Sequence, residues 1–194
     1  MTSARVKELR TGVFIDGSNL FWAMNIRDKT TGTKLNYDIC YKKLKEFLKG
    51  RYTPVFYNFY GIEDNNPGRE PYITRALGTK KFHQKLEGYG YNVCRKELKY
   101  LPDGSTKGDM DMEIGTDMHK LVNDYDNIVL FGGDSDFLSA VTYFHSIGKF
   151  IRIYSFENTL SWELKDFAIK NTRTNYKLLD ELQGDLEFIR VPVV

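Results

Sequence analysis

Three aspartates stand where apolar, strand-like runs give way to turns. The run V-F-I at 13–15 leads to Asp16 and then to Gly17, Ser18 and Asn19; glycine permits a tight turn, and Ser18 or Asn19 suits the cap of a following helix. A carboxylate at the mouth of a core strand is costly unless something uses it. Asp16 is therefore either a metal ligand or a plain helix-capping aspartate. The second place is more specific: N-I-V-L-F at 127–131 runs into Gly132, Gly133, Asp134, Ser135, Asp136 and Phe137. Two carboxylates flanking one residue at a strand-to-helix turn can face a common point, and like charges so close need a cation to stay ionised together. Partial relief from a helix N-terminus is the alternative.

A fourth acid comes from K-G-D-M-D-M-E-I-G-T-D at 107–117, which offers Asp109, Asp111, Glu113 and Asp117. At about 100° per residue, Ile114, Met118, Leu121 and Val122 define an apolar stripe centred roughly 30° from Asp111, which therefore points toward the sheet. Asp117 flanks that stripe at about 80°, while Asp109 and Glu113 fall on the solvated side. Asp111 as an N-cap is the competing reading. Gly108 loosens the helix start, and a slip of one residue would redraw this assignment. Lys107 either neutralises these acids, touches a phosphate, or is an ordinary solvated lysine.

The elements that must position these acids follow from the alternation of short apolar runs with amphipathic segments. Five strands are expected, at 13–15, 55–60, 91–94, 127–131 and 149–155. Helices are expected at 37–50, near 72–88, at 111–124 and at 136–148, the last closed by Gly148. Right-handed crossovers would then bring the carboxyl ends of all five strands to one edge, where open α/β sheets bind ligands. Irregular stretches at 24–34, 62–71 and 96–108 are rich in turn formers and would overhang that edge as rims or lids. The tail after Asn171, ending L-E-F-I-R-V-P-V-V, reads as a helix or an edge strand.

Length and composition bound the rest. The 194 residues suit one domain, and 28 % charged with 41 % hydrophobic residues is globular. No stretch approaches the ~20 apolar residues of a membrane span, and the start of the chain lacks a signal-peptide core, so a cytoplasmic protein is expected. Cys40 and Cys94 are the two cysteines, with no CxxC, which argues for reduced thiols and against zinc. The net charge of +2 excludes nothing by itself. Basic residues do crowd 42–51, 69–85 and 95–107, whereas acids crowd 109–136, suggesting an acidic pocket beside basic ground.

The combination F-I-D-G-S-N-L at 14–20, K-G-D-M-D-M-E-I-G-T-D at 107–117 and G-G-D-S-D-F at 132–137, followed by H-S-I-G-K-F-I-R at 145–152, resembles the NYN domains of the LabA-like group in the PIN-like nuclease superfamily. The resemblance spans roughly residues 12–155, with 156–194 as an extension of a single domain. It implies a three-layer Rossmann-like α/β fold with a mostly parallel sheet. It also implies a Mg²⁺ or Mn²⁺ site that cuts RNA, built from acids matching Asp16, Asp111, Asp134 and Asp136, with Asn19, Asp117, Ser135 and Lys107 in support. Two departures stand out. Gly132 replaces a serine of the family turn, and Asp111 is the fourth residue after Lys107 where the family has the third, which keeps Asp109 in contention.

Metal-assisted phosphodiester hydrolysis fits such a cluster and needs no histidine. His83, His119 and His145 lie in no motif, and no Ser-His-Asp or Cys-His pattern supports covalent catalysis. Arg69, Arg75, Arg95, Lys96 and Lys107 could follow a phosphate backbone, and Tyr60 could stack a base, although core packing is the simpler role for Tyr60. RNA is the expected partner, with DNA and a homodimer or protein partner left open. Two rivals remain: an RNA-binding or regulatory module with little turnover, and another Mg²⁺-dependent phosphoryl-transfer enzyme. No P-loop or GxGxxG is present to cradle a nucleotide.

Overall fold

The computed structural model describes residues 8–64 and 72–189, with the backbone alone for 72–76. Six strands form one sheet in the order β3-β2-β1-β6-β7-β8, and every neighbouring pair in it is parallel. They are β1 (Arg10–Asp16), β2 (Thr53–Glu63), β3 (Asn92–Glu97), β6 (Asn127–Phe131), β7 (Phe150–Ser155) and β8 (Thr174–Leu178). The segment expected as an irregular loop at 96–108 instead folds into an antiparallel ribbon of β4 (Lys99–Tyr100) and β5 (Thr106–Lys107).

Helices cover both faces, which is why β1 and β6 read as unbroken apolar runs: six of seven residues in β1 and all five in β6 are buried. Val13, Ile15, Val129 and Phe131 join one core with side chains from α1 (Gly17–Asn25), α2 (Tyr41–Arg51), α3 (Tyr72–Gly88) and the short α7 (Gln183–Leu186). Phe14 and Leu130, on the opposite side of the same strands, join Ile114 and Met118 of α4 (Asp111–Lys120), Val141 and Phe144 of α5 (Leu138–Ser146) and Leu164 of α6 (Trp162–Lys170). Strand side chains alternate, so Asp16 lies on the side of Phe14 and therefore of α4.

The sixth strand corrects the expectation of five, and it corrects the boundary drawn at residue 155. β8 pairs with β7 from Ile151↔Thr174 to Ser155↔Leu178, and Leu179, Leu182 and Leu186 are buried in the first core. The edge strand therefore lies at 174–178, ahead of the apolar tail that suggested it. Two helices lose a full turn at one end relative to their periodicity. The first starts at Tyr41 because the backbone before it is engaged elsewhere: Cys40 N–H donates to Leu186 O at 2.7 Å, and Phe188 N–H to Asp38 O at 2.7 Å. The other ends at Lys120, where Leu121 N–H returns to Asp117 O and the chain turns to seat Tyr125, whose hydroxyl donates to Met118 O at 2.5 Å. Gly148 adopts φ +89 after α5, the left-handed conformation expected of a helix-ending glycine. Among the described residues no helix is long and apolar enough to cross a membrane.

Candidate active site

The order β3-β2-β1-β6-β7-β8 reverses direction between β1 and β6, and ligands of open parallel sheets bind at the carboxyl ends of such a pair. Ile15 is paired with Phe131, so β1 and β6 end side by side with Asp16 beside Gly132. A Cβ at Gly132 would sit 3.4 Å from that of Asp16 and 3.3 Å from the Phe137 ring. Asp16 itself caps α1, its Oδ1 accepting the N–H groups of Ser18 and Asn19, each at 3.0 Å. Ser18 and Asn19, expected as caps, are the donors instead. Capping and a site role are compatible, since one carboxylate oxygen takes both bonds.

Across the switch point, Asp134 caps a 3₁₀ turn at Ser135–Phe137, with Oδ1 accepting Asp136 N–H at 3.1 Å. Asp134, Ser135 and Asp136 are exposed, whereas Phe137 beneath them is buried. Gly133, the residue before Asp134, is held through both of its backbone polar groups. Its N–H donates to Asn19 Oδ1 at 3.2 Å, and its carbonyl accepts Ser161 N–H at 2.7 Å. A Cβ at Gly133 would collide with Thr159 O and Ser155 Oγ, so close approach alone demands glycine there. Ser161 and Thr159 were missed from sequence; the signal available was Ser161 as an N-cap, accepting Leu164 N–H at 3.4 Å.

Met110, Ile114 and Met118 anchor α4 in the second core, leaving Asp111 half-buried at its first turn. Burial, then the charges of Asp134, Asp109, Asp136 and Glu113, push the Asp111 carboxyl up to about 6. Asp16, 4 % exposed, is likewise pushed up to about 6 by burial and by Asp111 and Asp134, against the lowering effect of its two backbone donors. The rival Asp109 is exposed; its carbonyl accepts Lys96 Nζ at 2.9 Å, and Glu113 pairs with the same Lys96 at 2.7 Å.

The remaining sequence candidates lie elsewhere. Asp117 accepts the Tyr60 hydroxyl at 3.1 Å and faces Lys120 at 3.7 Å. Tyr60 has no exposed surface, so it is a core residue and offers no face to a base. Arg95 is paired with Glu63 at 3.1 Å and Glu87 at 2.6 Å, and Lys96 is committed as above, so both are engaged in ion pairs at the surface. Lys107 sits exposed on the β4–β5 ribbon. Arg69 lies outside the described residues, as does the side chain of Arg75.

Clustered carboxylates are a hard, all-oxygen donor set, suited to Mg²⁺ or Mn²⁺ and unsuited to metals that favour thiolate or imidazole. Cys40 and Cys94 lie outside the cluster, at the start of α2 and beside Asp117. Among the described residues no three His, Cys, Asp or Glu side chains are close enough to share one ion. The acids are neighbours by charge without forming a closed coordination shell, as mutual repulsion and two backbone-capped carboxylates would favour.

The chain is 26 % identical over 201 residues, 95 % of each chain, to the low amplitude and bright protein LabA of Synechococcus elongatus. A crystal structure of a Vibrio parahaemolyticus protein of unknown function shares the fold, with a TM-score of 0.71, 22 % identity, and 94 % of this chain and 98 % of that one covered. The NYN domain model matches residues 10–172. That span runs from the first residue of β1 to the loop after α6 and takes in every acid of the cluster, so this chain belongs to the NYN domain family.

Proposed function

We propose that the chain is a divalent-metal-dependent ribonuclease that hydrolyses phosphodiester bonds of single-stranded RNA at the acidic cluster between β1 and β6. The observation that carries the reading is the crowding of Asp16, Asp111 and Asp134 at the switch point, where two carboxyls are pushed up to about 6 by burial and by one another. Such a cluster gains from positive charge. NYN family membership supports a nuclease or RNA-related role. Asp16, Asp134 and Asp136 would hold Mg²⁺ or Mn²⁺, with Asp111 completing the set or orienting water. Held by these carboxylates, such an ion would supply Lewis-acid activation of a water and charge neutralisation at the leaving oxygen. Asn19 and Ser161 hold the backbone of Gly133 and would thereby position the Asp134 that follows it.

End-labelled single-stranded RNA and DNA, incubated with Mn²⁺, Mg²⁺ or EDTA beside Asp134→Asn, test this. RNA is expected to be cut with either metal, to survive in EDTA, and to be cut about 100-fold more slowly by the variant. Cleavage that persists in EDTA and in the variant would sink the reading. One observation favours a second reading, an RNA-binding module with little turnover: the acids do not close on a single point. Salt-dependent RNA binding without cleavage in any metal would select it, and phosphate release from small esters in place of RNA cutting would select another phosphoryl-transfer enzyme.

A further inference from the structure

The chain has two tryptophans, and both are at the surface: Trp22 is 74 % and Trp162 is 69 % exposed. Tryptophan is normally well buried, so two indoles this open call for a use. Their positions are related through one residue, Gly133. Gly133 N–H is held by Asn19, and Trp22 follows Asn19 by one helical turn, about 5 Å along α1. Gly133 O is held by the N–H of Ser161, and Trp162 is the next residue, ~3.8 Å further along the chain. The two hydrogen bonds that hold Gly133, the residue before Asp134, thus each lead within one helical turn of chain to an exposed indole. Phe21, the neighbour of Trp22 on α1, is 64 % exposed, and Met112, next to Asp111 on α4, is 76 % exposed.

We propose that Trp22 and Trp162 are stacking platforms for bases of a single-stranded nucleic acid, one on each side of the bond presented to Asp134, a reading that rests on the nuclease assignment above. Charge points the same way. The cluster is acidic and repels a phosphate backbone, while Arg95 and Lys96 are spent on Glu63, Glu87 and Glu113. Base–aromatic stacking supplies a grip on the strand that does not depend on charge, beside whatever an exposed lysine such as Lys107 adds.

The test is fluorescence anisotropy with a labelled oligouridylate and an abasic strand of equal length, in EDTA so that neither cutting nor a metal bridge contributes. Trp22→Ala and Trp162→Ala are each expected to weaken oligouridylate binding by about 5- to 100-fold. Trp22→Phe and Trp162→Phe should retain most of the affinity, and in each the remaining indole should be quenched by the strand. The abasic strand should bind weakly throughout. Ile169→Ala, at an equally exposed apolar site at the far end of α6, should bind as the parent does. Equal binding of both strands, or unchanged affinity in both alanine variants, overturns the proposal. So does light scattering that shows the alanine variants dissociating a dimer with RNA affinity intact, which would assign these indoles to a second copy of the chain. Failure of cleavage with base-dependent binding preserved would remove the nuclease reading alone.

Discussion

Asp16 has two duties that pull its proton affinity in opposite directions. As the cap of α1 it accepts two backbone N–H groups, which favours the carboxylate; as a buried neighbour of Asp111 and Asp134 it is driven toward the acid, and burial wins, to about 6. A carboxyl raised in the fold above its ordinary 3.8 binds protons that the unfolded chain has released, so the fold loses stability as pH rises from about 4 to 6 and carries the full cost above 6. Asparagine caps a helix as well as aspartate does and cannot ionise. Asp16→Asn in EDTA is therefore expected to melt higher than the parent at pH 7.5 by a few degrees, for a gain of order 1–3 kcal/mol. The gain should fade as pH falls through 6 toward 4. Mg²⁺ or Mn²⁺ should raise the melting temperature of the parent at pH 7.5, less at pH 5, and scarcely at all in the variant. Thermal melts across this grid check both signs; a variant that melts lower than the parent at pH 7.5 in EDTA would show that the cap, and not the crowded charge, dominates at this position.

At the scale of elements, the turn after β6 depends on a residue with no side chain. Gly133 has an ordinary negative φ, so its role is space: Thr159 O and Ser155 Oγ occupy the volume a methyl group would need. Ser155 ends β7 and Thr159 lies in the segment that carries the chain on to α6, so Gly133→Ala must push these groups away and break the Asn19 and Ser161 hydrogen bonds. The expected result is a drop of several degrees in melting temperature and a loss of cleavage of about 100-fold, larger than stability alone would produce at 25 °C, because misplacement of a site by ~1 Å is enough to cause it. Nuclease assays well below the melting temperature separate the two effects. This turn also marks the limit of what could be read from sequence. Strands buried on both faces announce themselves as apolar runs, so a carboxylate at the end of one stands out, and helical phase set Asp111 on the sheet side of α4, where it is half-buried beside Asp134. Ser161 and Thr159 reach Gly133 only through the tertiary fold. The same holds for Arg95 and Lys96, whose ion-pair partners lie on β2, α3 and α4, and for Tyr60, whose hydroxyl found Asp117 across the second core. Nothing local to those residues fixes which partner they meet.

On the scale of the whole molecule, the family match ends at residue 172, yet the sheet does not. β8, T-N-Y-K-L, has one fully buried residue and three half-buried ones, the pattern of an edge strand, too mixed to declare a strand by its apolar content. The turns after β8 close the first core: Leu179 and Leu186 have no exposed surface, and Leu182 has 7 %. The Tyr37 hydroxyl donates to Leu179 O at 2.8 Å, and Glu157 N–H to Asp180 Oδ2 at 2.8 Å, so this segment also fixes the approach to α2 and the loop beyond β7. A chain cut after residue 172 would bare the β7 edge and remove three buried leucines. At about 2–5 kcal/mol for each leucine, that loss is comparable to the ~5–15 kcal/mol by which a whole domain is stable. The shortened chain is expected to give no cooperative thermal transition and to aggregate through its open edge, whereas Leu186→Ala in the full chain should fold with a melting temperature lowered by several degrees. A cut chain that melts cooperatively within a few degrees of the full one would show that β8 and the turns after it only decorate an already closed core. Because the segment from β7 to α6 carries Thr159 and Ser161, that loss of stability would be felt first at the turn that presents Asp134.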